Sequence, residues 1–410
     1  MKVDELFNWP AVINDTPCLQ RRLPHHVLDL FPGGSCLVVV FEDARGPVLK
    51  PDPLREISGV RFVCSEGHTV LAVKTLKRDW YRGRPLLDFM TRLAQEGFFA
   101  SFERVVFYGG SMGGYGALAF SCLAPGALVL AYSPQTTLDP VLVPWDLRYP
   151  VGRGADWTGP FGDAAVSAAS AERVVVVYDP FERSDARQVA RLAPDNLLAL
   201  KLPFAGHGTP AMLAQVGELK GVLRSLLNGS LDLPGFARVA RKRRQVVSYW
   251  TEFGRQARSL AVKRTCLRRA DAIEPGTLPG LILQAEVSMA DSDPAAAEVA
   301  ARRGLAIEPR VGNLTEILVQ ALQDQGKTAE ALTAARDALA RYPKNFRIIR
   351  ANVRLLQRQG DLETARSVVS AGLEQLPHHP RLLHLSRELT ANPSVPKRTP
   401  AAGRPVPQLA

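Results

Sequence analysis

The chain of 410 residues is 46% hydrophobic and 22% charged, ordinary globular usage for two or three domains. It has no apolar run of the ~18–20 residues a membrane-spanning helix needs and no secretory h-region after Met1, and its five scattered cysteines include no CxxC pair. An integral membrane protein, a disulfide-stapled secreted domain and a zinc finger are therefore excluded, and a cytoplasmic protein is expected.

Residues 1–32 form a weakly patterned N-terminal extension. From 33 to 235, strand-like apolar runs alternate with helical segments and glycine turns, the pattern of an α/β domain. Strands are expected at Cys36–Phe41, Val60–Cys64, Val70–Thr75, Arg104–Tyr108, Leu128–Tyr132, Arg173–Tyr178 and Asn196–Lys201. Helices are expected at Leu86–Glu96, Gly113–Leu123, Asp185–Leu192 and Thr209–Leu227. Runs such as Val174-Val175-Val176-Val177 suit parallel strands covered on both faces.

The fourth of these strands leads into Gly109-Gly110-Ser111-Met112-Gly113-Gly114, followed by a helix of small residues. Glycine two places before and two after the serine permits a sharp strand-to-helix turn, and the helix start aims free N–H groups at any anion that develops there. A serine hydroxyl needs a base, and the base an orienting acid. His207, between Gly206 and Gly208 after the last strand, is the expected base. Asp179 follows the strand Arg173–Tyr178 and is the first choice of acid. Asp185, which reads as a helix N-cap, and Asp139, one strand earlier, stay open.

On these motifs, residues 33–228 resemble an α/β-hydrolase domain. The resemblance implies an eight-stranded, mostly parallel sheet with helices on both faces. It also implies a Ser111–His207–Asp179 triad that attacks an ester or other acyl carbonyl, without cofactor or metal. An oxyanion hole would be made by the backbone N–H of Met112 and a second donor in the loop Phe41-Glu42-Asp43, here Glu42; the His-Gly-Gly motif of lipases is absent from that loop. The forty residues between Tyr132 and Arg173 hold Trp145, Tyr149, Trp157 and Phe161. They would make a lid or pocket wall, where Arg148 and Arg153 would suit a polar or acidic ester, carbohydrate esters included, or else an ordinary surface excursion anchored by its aromatics.

Residues 236–277 form a basic helical connector or degenerate repeat. Between Phe236 and Arg269 eleven basic residues meet one acid, Glu252, which accounts for nearly all of the net charge of +11. The segment suits a solvated connector or, less simply, an anionic surface; no RNP-like or zinc signature supports nucleic acid. From 278 to 390 the chain turns helical, and Pro275, Pro309, Pro343 and Pro377 recur every 34 residues. With Ala297, Ala331 and Ala365 at one repeat position and Gly326 and Gly360 at the inter-helix turn, this resembles tetratricopeptide repeats, which implies a protein partner. A capping helix is expected at Arg381–Leu389, and the proline-rich tail 391–410 is expected to be disordered. Three functions fit: a serine hydrolase with a partner-binding module, a non-catalytic scaffold, or an acyltransferase using the same triad.

Overall fold

Alternate residues of the valine-rich strands point to opposite sides, and in the computed structural model both sides are covered. The structure describes residues 6–44, 52–193, 195–377 and 379–391; the expected disorder of the C-terminal tail falls outside them, apart from Ala391. Nine strands form one sheet: β1 (Trp9–Ile13), β2 (Thr16–Arg22), β3 (His26–Phe31), β4 (Cys36–Phe41), β5 (Thr69–Thr75), β6 (Arg104–Gly110), β7 (Leu128–Tyr132), β8 (Arg173–Tyr178) and β9 (Leu197–Lys201). Their order is β1-β2-β3-β5-β4-β6-β7-β8-β9. The six strands from β5 to β9 run parallel, and β1, β2 and β3 add antiparallel partners at one edge. The mostly parallel α/β sheet is as expected, with one strand more than the eight implied.

Leu37, Val39 and Phe41 face one core with the helices Arg84–Gln95 and Met112–Phe120. Val38 and Val40 face the other with Val60–Ser65, Thr209–Gln215 and Leu219–Leu227. The chain leaves β4 for β5 on one side and returns past it to β6 on the other. The carboxyl ends of β4 and β6 thus flank the switch point of the sheet, where open α/β folds place their sites.

Three expectations need correction here. Val60–Cys64 is helical, because a short β-branched run cannot be told from a buried helix turn by periodicity, and Arg61 stands exposed while Val60 and Val63 are buried. The single helix Thr209–Leu227 is two, broken at Gly217 with φ 74. The weakly patterned N-terminus supplies β1–β3, whose edge pairing leaves Trp9 and Val12 exposed and blurs the alternation.

A second compact unit begins at Gly254, the first ending at Phe253. The second consists of a helix at Leu260–Ile273, the antiparallel pairs Leu278–Ala290 with Pro294–Ile307, Gly312–Asp324 with Thr328–Arg341, and Phe346–Gln359 with Leu362–Gln375, and a last helix Pro380–Ala391. Ala297, Ala331 and Ala365 are fully buried, as close helix approach demands. The turns between paired helices need left-handed backbone, met by Gly326 (φ 75) and Gly360 (φ 78), and by Ser292 (φ 59) where glycine is missing. Several basic residues of the 236–269 segment are spent within their own units: Lys242 on Glu218, Arg255 on Glu286 and Arg264 on Asp291.

Candidate active site

The turn after β6 is as tight as its glycines suggest. A methyl group on Gly109 would sit 2.3 Å from the Gly113 carbonyl oxygen, and one on Gly113 2.3 Å from the Phe41 carbonyl oxygen at the end of β4. Gly110 meets nothing nearer than 3.8 Å, so sterics do not demand glycine there. Between them Ser111 adopts φ 53 and ψ −117, in the left-handed half of backbone space that a side chain rarely enters. Its N–H donates to the Tyr132 carbonyl (2.8 Å), tying the turn to the end of β7.

His207 lies on the loop after β9, where Phe204 (φ 62) and Gly206 (φ 59) reverse the chain. The Phe204 ring is stacked on Phe181 at 4.7 Å and on Phe253 at 4.4 Å. His207 Nε2 lies 2.8 Å from Ser111 Oγ, and Nδ1 lies 2.8 Å from a carboxylate oxygen of Asp185. The structure thus brings Ser111 and His207 together, but the acid that meets the imidazole is Asp185 and not Asp179.

Asp179 is wholly buried at the end of β8 and accepts hydrogen bonds from the Phe181 N–H (2.9 Å) and the Gly206 N–H (2.8 Å). Burial raises its carboxyl above the usual range, against those backbone donors. It fixes the loop that carries His207 rather than the imidazole itself. Asp185 is free for the histidine because the N-cap of its helix, Arg183–Val189, is Glu182, whose carboxylate accepts from the Ser184 N–H. Asp139 accepts from the Val141 N–H within its own turn.

The other oxygen of Asp185 is 2.6 Å from Arg148 Nη1, and Arg148 reaches Asp146 through Nε and Nη2, both at 2.8 Å. Burial works against the ionised Asp146, yet Arg148 and the Gln188 amide hold its carboxyl below the ordinary range. Burial likewise opposes the Arg148 charge, and the two carboxylates keep its guanidinium strongly basic. Arg153 donates to the carbonyls of Val143 and Asp146. Both arginines are therefore occupied inside the protein, against the expectation that they face an acidic substrate.

The segment between β7 and β8 is anchored as well as placed over the serine. Arg82 donates to the carbonyls of Asp156, Thr158 and Pro160, and Phe161 stacks on Phe120 at 4.8 Å. From the same segment the Tyr149 hydroxyl comes within 3.1 Å of His207 Nε2. Arg148 and Tyr149 could not be given these places from the sequence, where they read only as pocket-lining types.

The Met112 N–H occupies the first position of its helix, where no intrahelical acceptor exists. Glu42 does not supply a second such donor. Its N–H donates to the Val73 carbonyl (3.2 Å) as part of the sheet, and its buried carboxylate forms a bidentate pair with Arg55. A cavity of about 360 Å³ adjoins the Gly109–Gly110 backbone, lined among others by Phe41, Asp43, Arg55, Tyr108 and Tyr132. Among the described residues no three His, Cys, Asp or Glu side chains gather as a metal site would require. No described helix is long and apolar enough to cross a membrane.

Residues 322–389 match the family model of the tetratricopeptide repeat. Among solved structures, the chain is similar to the capsule O-acetyltransferase of Neisseria meningitidis serogroup A, at 12% identity over 52% of this chain and 96% of that one, with a TM-score of 0.37. It is similar also to MPT51 of Mycobacterium tuberculosis (16% identity, 50% and 97% covered, TM-score 0.34). A tetratricopeptide protein of Thermus thermophilus aligns at 18% identity over 44% of this chain and 98% of its own, with a TM-score of 0.33. No curated protein matches the chain.

Proposed function

We propose that the sheet unit is a serine acyl hydrolase, most simply a carboxylesterase, working through Ser111, His207 and Asp185. The observation that carries this reading is the continuous relay of two 2.8 Å contacts, Ser111 Oγ to His207 Nε2 and His207 Nδ1 to Asp185, built on a backbone turn that no structural need of serine explains. With Nδ1–H donating to Asp185, Nε2 presents its lone pair to the hydroxyl. As Ser111 Oγ bonds to the acyl carbon, its proton passes to Nε2 and the carbonyl electrons move to oxygen, where the Met112 N–H and the helix N-terminus stabilise the charge. The carbonyl reforms as the leaving oxygen departs with the proton from Nε2, giving an ester on Ser111. Water, deprotonated by His207, then attacks that ester, and Ser111 regains its proton. The tetratricopeptide unit would add a docking surface for a protein partner.

The test is labelling by a fluorophosphonate probe together with turnover of p-nitrophenyl acetate. Ser111→Ala is expected to abolish the label and to lower turnover on the order of 10⁶-fold. A folded wild-type protein that takes no label and turns over no ester defeats the proposal and leaves a binding module.

A further inference from the structure

Two hydroxyls compete for one lone pair at His207. Nδ1 faces Asp185, so Nε2 is the acceptor nitrogen, and it lies 2.8 Å from Ser111 Oγ and 3.1 Å from the Tyr149 hydroxyl. A single lone pair takes one good donor. If Ser111 donates to it, the Tyr149 O–H is left to serve another oxygen brought up beside Nε2. Burial pushes the Tyr149 hydroxyl up to about 12, against the pull of Arg148, so near neutral pH it keeps its proton and acts as a donor.

Tyr149 is also held firmly. Its ring packs 5.2 Å from that of Trp80, whose indole N–H donates to Gln135, and 5.2 Å from the Arg148 guanidinium that grips Asp185. Two consecutive residues of one loop thus address the relay at two points, Arg148 at the acid and Tyr149 at the imidazole nitrogen that faces Ser111.

Resting on the proposed Ser111 chemistry, we infer that Tyr149 is a catalytic residue whose hydroxyl holds the oxygen facing His207 in each half-reaction: the leaving oxygen as the acyl-enzyme forms, and the incoming water or alcohol as it breaks down. Once Ser111 Oγ has become an ester oxygen it no longer donates to Nε2, and the Tyr149 O–H turns to whichever oxygen sits against that nitrogen. In acylation the leaving oxygen takes its proton from Nε2, with the Tyr149 hydrogen bond easing the charge that builds on it. In deacylation the incoming oxygen gives its proton to Nε2 while Tyr149 fixes its position. Tyr149 keeps its own proton throughout, so atoms and charge balance without it.

Tyr149→Phe keeps the ring and its packing and removes only the hydroxyl. With p-nitrophenyl acetate the departing phenolate needs no proton, so the two half-reactions separate. Acetylation of Ser111, followed by nitrophenol release before steady state and by intact mass, is expected to stay within about twofold of wild type. Deacetylation is expected to slow about ten- to a hundredfold, the effect of one lost hydrogen bond to a charged centre, so that acetylated protein accumulates. Equal slowing of both halves, as general loosening would give, or no change in either, overturns the assignment. A wild-type protein that takes neither acetyl nor fluorophosphonate overturns the triad reading instead, which is a separate failure.

Discussion

In the sheet unit, the side chains that meet at Ser111 come from four separate stretches of the chain, at positions 111, 148–149, 185 and 207. In the repeat unit each helix packs on its neighbour in sequence, and the same alanine position recurs every 34 residues. Unusual backbone follows the same division. Among the described residues of the sheet unit, Asn14, Asp15, Trp80, Tyr81, Ser111, Ser133, Phe161 and Phe204 are left-handed without being glycine, and of these Ser111, Ser133 and Phe204 follow the strands that frame the site. The repeats use it at their inter-helix turns, once on Ser292 and otherwise on glycine. One unit depends on where a few groups point, the other on how large the side chain is at a recurring place. A substitution should therefore be read by chemistry in the first and by volume in the second.

The sharpest break in that contrast would come from the two buried aspartates that follow β8. Asp185→Asn removes the charge that sets the tautomer of His207 and is expected to lower kcat about 10⁴-fold, going by the aspartate of a well-studied serine protease. Asp179→Asn weakens an acceptor for two backbone N–H groups, and its expected cost is about 1–3 kcal/mol of stability with a smaller loss of turnover. Esterase kinetics and thermal unfolding of both variants decide between them; the reverse order of kinetic effects would return the catalytic role to Asp179.

Volume is tested next, in the repeats. Ala331→Leu forces extra methylenes into a fully buried helix crossing and is expected to cost about 1–3 kcal/mol, read as a lowered Tm. An unchanged Tm would show that the helices do not approach there as described. The smallest effect concerns charge on the repeat surface. Lys327 first, then Arg302 and Gln325, draw the Glu298 carboxyl down to about 2 from its ordinary 4.5. A carboxyl lowered in the folded state stabilises above its unfolded value and loses that contribution as pH falls through its folded one. Glu298→Gln should thus lower Tm slightly at pH 7, by an amount that shrinks between 4.5 and about 2 and with added salt; a pH-independent difference would rule out the ion pairs as its source.

Much of both units can be read in advance, for different reasons. Strands β4, β6, β7 and β8 are legible because continuous apolar runs of strand length bounded by turn residues have few other uses, and the repeats because a period of 34 with fixed small residues is hard to reach by accident. Ser111 and His207 are legible because glycine on both sides marks a turn that must be tight. Which carboxylate meets the imidazole is not legible, for a reason internal to the fold. Asp179 and Asp185 both follow β8, and spacing along the chain cannot tell which carboxylate is consumed by backbone N–H groups once the loops close. Glu42 fails similarly: whether its N–H joins the sheet depends on the register of β4 against β5. Arg148 and Tyr149 carry no motif at all, and only the folded path of the loop between β7 and β8 brings them to the relay.

The geometry at Ser111 sets two demands on one position. At φ 53 a side chain is held where glycine would rest more easily, a burden of about 1–3 kcal/mol. Selection for sturdiness alone would favour losing the hydroxyl, so a screen for heat-resistant variants of this chain should enrich Ser111→Gly while catalytic output disappears. Thermal robustness and turnover therefore need to be scored side by side in any directed evolution of this protein.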